Sequence, residues 1–214
     1  MHYRHVLTDP IVDNNPIAVQ ILGVCSALAV TRTMWPALVM AIAVTAVLIF
    51  SNGAVSLLRN VIPRNVRLIL EVTLIASAVI VTDEALKAYT PEISATLSVF
   101  VGLIITNCIV LGRAETFALN NSVSASILDG LGNGIGYGAL LIAVAMVREL
   151  LGSGSLLDRT VLTPREDGGI FLANQFMALP ASAFFIIGLV IWALRSWRTK
   201  QIELPEYSEA QNRA

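Results

Sequence analysis

The sequence predicts an all-α integral membrane protein: six transmembrane helices, arranged as two inverted three-helix repeats, with short or broken first and fourth helices. Three observations point there. Of the 214 residues, 56% are hydrophobic and only 14% charged, whereas an ordinary soluble domain carries about 25% charged residues. The apolar residues fall into six runs divided by charges and prolines, most of them close to the roughly 20 residues that cross about 30 Å of hydrocarbon. The runs follow the order short, long, long, and then repeat it.

The spans read in order as 16–31, 35–58, 67–89, 95–112, 130–151 and 176–195. The first opens at the turn-like Asp13-Asn14-Asn15-Pro16 and has no apolar residues left by Thr31-Arg32. The second is the clearest, running from Trp35 to Leu58 without a charge. The third contains Glu71 and ends in Asp83, Glu84 and Lys87. The fourth is interrupted at Thr106-Asn107 and stops at Gly112-Arg113. The sixth is bounded by Trp192 and Trp197, whose amphipathic rings suit the headgroup region.

Broken backbone at membrane depth is tolerated only where protein buries it or where it lines a cavity. Interrupted segments at corresponding places in two halves point to a site near the bilayer midplane. The expected organisation is therefore a tail at 1–15, repeats at 16–91 and 92–197, and a tail at 198–214. Nine basic residues fall on the side of the termini and five on the other, which puts both termini in the cytoplasm. The polar first fifteen residues do not read as a cleavable signal peptide.

Composition removes several functions. The net charge is −1, from 14 basic and 15 acidic residues, and no basic stretch could track phosphates, so nucleic acid is not an expected partner. The two histidines, His2 and His5, both lie in the N-terminal tail. The apolar body thus has no imidazole for haem, a Rieske centre, a His-ligated zinc or a Ser-His-Asp triad.

Each half has one cysteine, in its short leader: Cys25 in LGVCSALAVTR and Cys108 in ITNCIVLGRAE. Thiolates are soft ligands for iron and sulfide, and an iron–sulfur cluster usually takes four. If these two bind a cluster, another chain must supply the remaining pair. Read blandly, each is a small buried hydrophobe; a disulfide would have to form inside hydrocarbon.

Carboxylates at the span margins come next, because ionisable groups at membrane depth tend to mark ion paths or buried pairs. Asp83 and Asp129 are the candidates for a cation path. Glu71 follows Arg67 by four residues and Glu149 adjoins Arg148, so helix-end pairing accounts for both. DGLGNGIGYG is no nucleotide loop. Gly130, Gly134 and Gly138 recur every four residues in an apolar run, the spacing of a helix-packing face, and Tyr137 stands where a third phosphate-binding glycine would be needed. Gly152-Ser153-Gly154 reads as a helix stop. Asn15, Thr106 and Asn107 are suited to bond backbone groups freed at the breaks, or to donate toward sulfur.

The segments DNNPIAVQILGVCSALAVT (13–31), SVFVGLIITNCIVLGRAETFA (98–118), DGLGNGIGYG (129–138), RELLGSG (148–154) and SAFFIIGLVIWA (182–193) resemble one family of small membrane subunits. It comprises the D and E subunits of the bacterial sodium-translocating NADH:quinone reductase and their counterparts in the Rnf ferredoxin:NAD⁺ oxidoreductase. The resemblance covers nearly the whole chain and is nearer to the D-type branch, since TNCIV and GRAE are shared with Rnf but DNNPIA and GNGIGYG favour the reductase.

The resemblance implies six helices as inverted repeats, residence in the bacterial inner membrane, and pairing with a homologous E subunit of opposite orientation. It implies that Cys25 and Cys108 give two ligands to a [2Fe–2S] cluster, with two more from that E subunit. It further implies a complex with A, B, C and F subunits that carries electrons from NADH to ubiquinone and exports Na⁺. No flavin, NADH or quinone site is expected on this chain, and no catalytic residue. The alternatives are an Rnf E-type subunit and a cofactor-free transporter or assembly subunit.

Overall fold

The structure is a computed structural model that describes residues 10, 15–17, 19–59, 66–89, 102–156, 159–160 and 174–197. His2, His5, the start of the fourth span, the junction between the halves, most of the 155–175 loop and the C-terminal tail lie outside the described residues.

The described elements are helical apart from one two-residue ribbon, Ser155–Leu156 against Arg159–Thr160. The helices are α1 (Val24–Val30), α2 (Met34–Leu58), α3 (Arg67–Tyr89), α4 (Cys108–Arg113), α5 (Val123–Gly152) and α6 (Pro180–Trp197). A π-helical turn, Ala114–Ala118, continues α4, and a 3₁₀ turn, Gln175–Ala178, leads into α6. By length and composition α2, α5 and α6 are each able to cross a membrane.

Several boundaries differ from the sequence reading. The first span is helical only from Val24, because Gly23 adopts φ 79° and Ile21 φ 55° just before it. A β-branched residue in the left-handed region is uncommon and strained, so the chain is held there by its surroundings. Residues 102–105 are helical, Thr106 and Asn107 are not, and α4 restarts at Cys108; the fourth segment breaks at the expected point. It does not stop at Arg113, since the π turn extends it to Ala118. α5 begins at Val123, which places Asp129 well inside the helix rather than at its opening.

α2 and α5 form the centre of the bundle, packed side by side, and the glycines explain how closely. A Cβ on Gly130 would stand 2.9 Å from the Leu48 carbonyl oxygen, one on Gly134 would stand 2.6 Å from Thr45, and one on Gly138 would stand 3.0 Å from Ala41. The four-residue glycine face is therefore the α2 contact, the geometry by which small residues bring membrane helices together. Replacing Gly130 by Ala is expected to weaken the chain. Helix propensity alone would favour Ala by about 1 kcal/mol. The opposing atoms are backbone and cannot rotate away, and overpacking of this kind costs about 1–3 kcal/mol. Thermal loss of the subunit from detergent-solubilised complex measures the sign; an unchanged or higher midpoint would refute the close-packed interface.

An apolar core that includes Met40, Val44, Leu48, Leu141 and Val144 is accompanied by buried polar side chains and an apolar exterior. Ser51, Asn52, Ser56, Ser126, Asp129, Asn133 and Ser182 are buried, whereas Ile42, Phe50, Leu57, Phe184, Phe185 and Leu189 are exposed. An exterior this apolar is stable only against lipid or another subunit. Trp192 and Trp197 also face outward, as befits headgroup anchors.

Candidate functional site

Cys25 is the second residue of α1 and Cys108 the first of α4, so each cysteine begins a short helix immediately after a break. Both thiols are free and exposed. The two breaks follow one pattern. Asn15 Oδ1 accepts the Ile17 amide at 3.1 Å, and Asn107 Oδ1 accepts the Ile109 amide at 3.3 Å. Each asparagine thus satisfies a backbone donor left open where regular helix fails, as the sequence suggested. Thr106 Oγ1 does the same in reverse, donating to the Gly102 carbonyl at 2.9 Å.

The breaks are tied together through the middle of α5. Asn15 Nδ2 donates to the Gly136 carbonyl at 3.1 Å. Asn107 Nδ2 donates to Ser26 Oγ at 3.2 Å, and the Tyr137 hydroxyl lies 2.6 Å from the same Ser26 Oγ. Tyr137 is fully buried and its ring rests on Gly23, where a Cβ would come within 2.9 Å of Cε2. A second close approach, of Leu22 to Gly112, completes the crossing. The residue after Cys25 is therefore hydrogen-bonded to the residue before Cys108.

Two thiols are the donor type that iron and sulfide take, at half the usual number. Two soft thiols stand on neighbouring elements and face outward, where another subunit can reach them; four are needed. Among the described residues no group of three or more His, Cys, Asp or Glu side chains is placed to hold a metal by itself. The donor set fits a shared centre and does not complete one.

The carboxylate candidates separate. Asp129 accepts Arg113 in a two-pronged pair, with Nε at 3.0 Å from Oδ2 and Nη2 on Oδ1. Asn133 Nδ2 adds a bond of 3.0 Å and Asn52 Nδ2 a longer one of 3.5 Å. Arg113 also stacks over Phe117, with its guanidinium carbon 5.2 Å from the ring centre. Beside this pair the buried oxygens Ser51 Oγ, Asn52 Oδ1 and Asn133 Oδ1 have no hydrogen-bond partner. Asp83 lies apart from these groups, near the end of α3.

The Arg67–Glu71 pair is present at 3.5 Å, and Arg67 also reaches Glu115 on the π turn at 3.0 Å. Arg148 and Glu149 do not pair with each other as the sequence suggested. Their side chains leave α5 in different directions and serve other helices. Glu149 Oε2 accepts the Met34 amide at 2.6 Å, capping the N-terminus of α2, where a negative charge is favoured. Arg148 is buried and donates to Thr31 Oγ1 at 2.8 Å, Leu179 O at 3.0 Å, Met177 O at 3.2 Å and Leu28 O at 3.5 Å. It gathers the carbonyl end of α1 and the approach to α6. Sequence reasoning missed both roles, and it missed Tyr137 except as a departure from a glycine motif.

Comparison with known proteins shows the family. The family model described as "Rnf-Nqr subunit, membrane protein" matches residues 3–191. The chain is 56% identical over 200 residues to proteins from Shewanella oneidensis, Shewanella baltica and Shewanella halifaxensis, each named as the D subunit of a Na(+)-translocating NADH-quinone reductase. Each alignment covers 94% of this chain and 95% of the relative. With its apolar helices and its two broken leaders, the chain belongs to the Rnf-Nqr family of membrane-protein subunits.

Proposed function

We propose that this chain is the D-type subunit of a sodium-translocating NADH:quinone reductase in the bacterial inner membrane, with both termini cytoplasmic. On this reading residues 16–91 and 92–197 are its two inverted halves. Cys25 and Cys108 supply two thiolates to an iron–sulfur centre whose other two ligands come from a homologous E subunit, alongside A, B, C and F subunits. The names of the relatives support the reductase over its Rnf counterpart. One observation carries the site: two exposed thiols, each just beyond a helix break, with the two breaks hydrogen-bonded to one another.

A [2Fe–2S] cluster, when bound, would supply a one-electron carrier within the membrane. The chain's own contribution is to present the thiols, to follow Cys108 with the buried Ile109 and Val110 that anchor its half-helix, and to fix the half-helices that bear them. Sodium, which the relatives are named for translocating, would meet hard oxygen donors around Asp129, where Ser51, Asn52 and Asn133 offer unpartnered oxygens. Asp83 is the second candidate on that path.

The test is iron and acid-labile sulfide per purified complex, measured for the parent and for Cys25→Ala and Cys108→Ala. Each substitution is expected to abolish the shared centre and quinone reduction while the subunit remains assembled. Iron, sulfide and quinone reduction all at parental levels in either variant would overturn the assignment.

A further inference from the structure

The Ser26 hydroxyl has three neighbours and one proton, and counting donors fixes the direction of the bonds around it. Ser26 Oγ lies 2.9 Å from the Gly23 carbonyl oxygen, which only accepts. The Asn107 amide nitrogen only donates, and the Tyr137 hydroxyl is free to do either. Every contact is satisfied in one arrangement alone: Ser26 donates to Gly23, and Asn107 and Tyr137 both donate to Ser26. The Ser26 oxygen is then saturated.

From this geometry we infer that Tyr137 is the positioning residue for the two thiols; the inference rests on the metal-binding role proposed above. Its ring braces Gly23, which cannot carry a side chain there, and its hydroxyl completes the Ser26–Asn107 link. Ser26 follows Cys25 and Asn107 precedes Cys108, so a displacement at Tyr137 reaches both sulfur ligands through a single bond network. Tyr137 is fully buried in a rigid, closely packed helix, which lets it act as a fixed reference. It touches neither metal nor substrate and acts through Ser26, Asn107 and the Gly23 turn.

The experiment compares Tyr137→Phe, Ser26→Ala and the double variant in the whole complex. The first readout is the midpoint potential of the iron centre. Each single variant is expected to keep the subunit and its iron, and to change the reduction equilibrium at least threefold, about 28 mV for one electron. The double variant should change it no further, because both act through one bond. The second readout needs no metal: once the complex has been stripped of iron, the maleimide alkylation rates of Cys25 and Cys108 should rise at least threefold in Tyr137→Phe.

Unchanged potential and alkylation in both single variants would overturn the inference, as would strictly additive effects in the double variant. So would loss of the whole subunit in Tyr137→Phe while Ser26→Ala behaves as the parent, since that pattern belongs to bulk packing. If the parent complex holds no iron at these cysteines, the metal-binding role fails. The alkylation rates then still decide whether Tyr137 positions the thiols.

Discussion

Arg113→Ala is expected to remove this subunit from the assembled complex. The guanidinium it deletes is the cationic partner of Asp129, whose side chain is 2% exposed and lies inside α5. Losing one member of a buried ion pair leaves a desolvated charge and costs about 3–5 kcal/mol, a large part of the total stability of a typical domain. Asn133 and Asn52 keep their bonds to the carboxylate but cannot neutralise it. Adding Asp129→Asn should restore part of the loss, because a neutral amide tolerates the vacated site better than a carboxylate. Immunoblotting membranes for the subunit and measuring its co-purification with the complex would check both variants. Normal assembly of Arg113→Ala would show that the pair contributes little, and equal failure of single and double variants would show that the guanidinium packs rather than neutralises. The same double variant also bears on sodium. If Asp129 serves only to pair with Arg113, an assembled double variant should pump sodium as the parent does.

The second large effect is expected at Arg148. Its four acceptors come from two places in the chain, the end of α1 and the approach to α6, and its removal deletes the one charged donor that joins them, leaving Ser182 as the donor to the Met177 and Leu179 carbonyls. A hydrogen bond from a charged donor is worth about 1.5–3 kcal/mol. Arg148→Met keeps much of the side chain's bulk and removes every donor, so α1 and α6 should both loosen from α5. Limited proteolysis in detergent should then cut near 174–180 and near 31–33 faster than in the parent protein. Lysine at this position should fall between the two, since an ammonium has three donors but lacks the planar fork that spans separated carbonyls. Parental cleavage in Arg148→Met would contradict the clamp.

What the sequence makes legible is local. The third span reads as 67–89 and a helix with those bounds is found, Arg67–Tyr89, around an apolar run that holds Glu71 near its start. The break at Thr106-Asn107 is visible because two polar residues interrupt hydrocarbon, and both cysteines stand out by their place in the short leaders. The glycine face is visible because its period is that of the helix itself.

The features that escape are all long-range. Nothing near Tyr137 in the sequence announces Ser26, 111 positions away, and nothing near Arg148 announces Thr31, 117 positions away. Adjacency alone suggests a pair between Arg148 and Glu149. Consecutive residues on a helix point about 100° apart and serve different partners. Arg113 reads as the end of a span because the π turn that extends the helix and carries Arg113 to Asp129 has no simple hydrophobic signature.

The link from Asn15 to Gly136, 121 positions apart, also constrains how the chain is built at the ribosome. The first leader emerges early, yet this acceptor follows only after most of the protein has been synthesised. A leader this far short of the roughly 20 apolar residues that cross a bilayer has little reason to enter it by itself. It is expected to settle only when the fifth helix arrives to receive it. Chains cut short before Gly136 should therefore leave Cys25 open to a water-soluble alkylating reagent, and chains that extend past α5 should carry it into the bilayer, out of that reagent's reach.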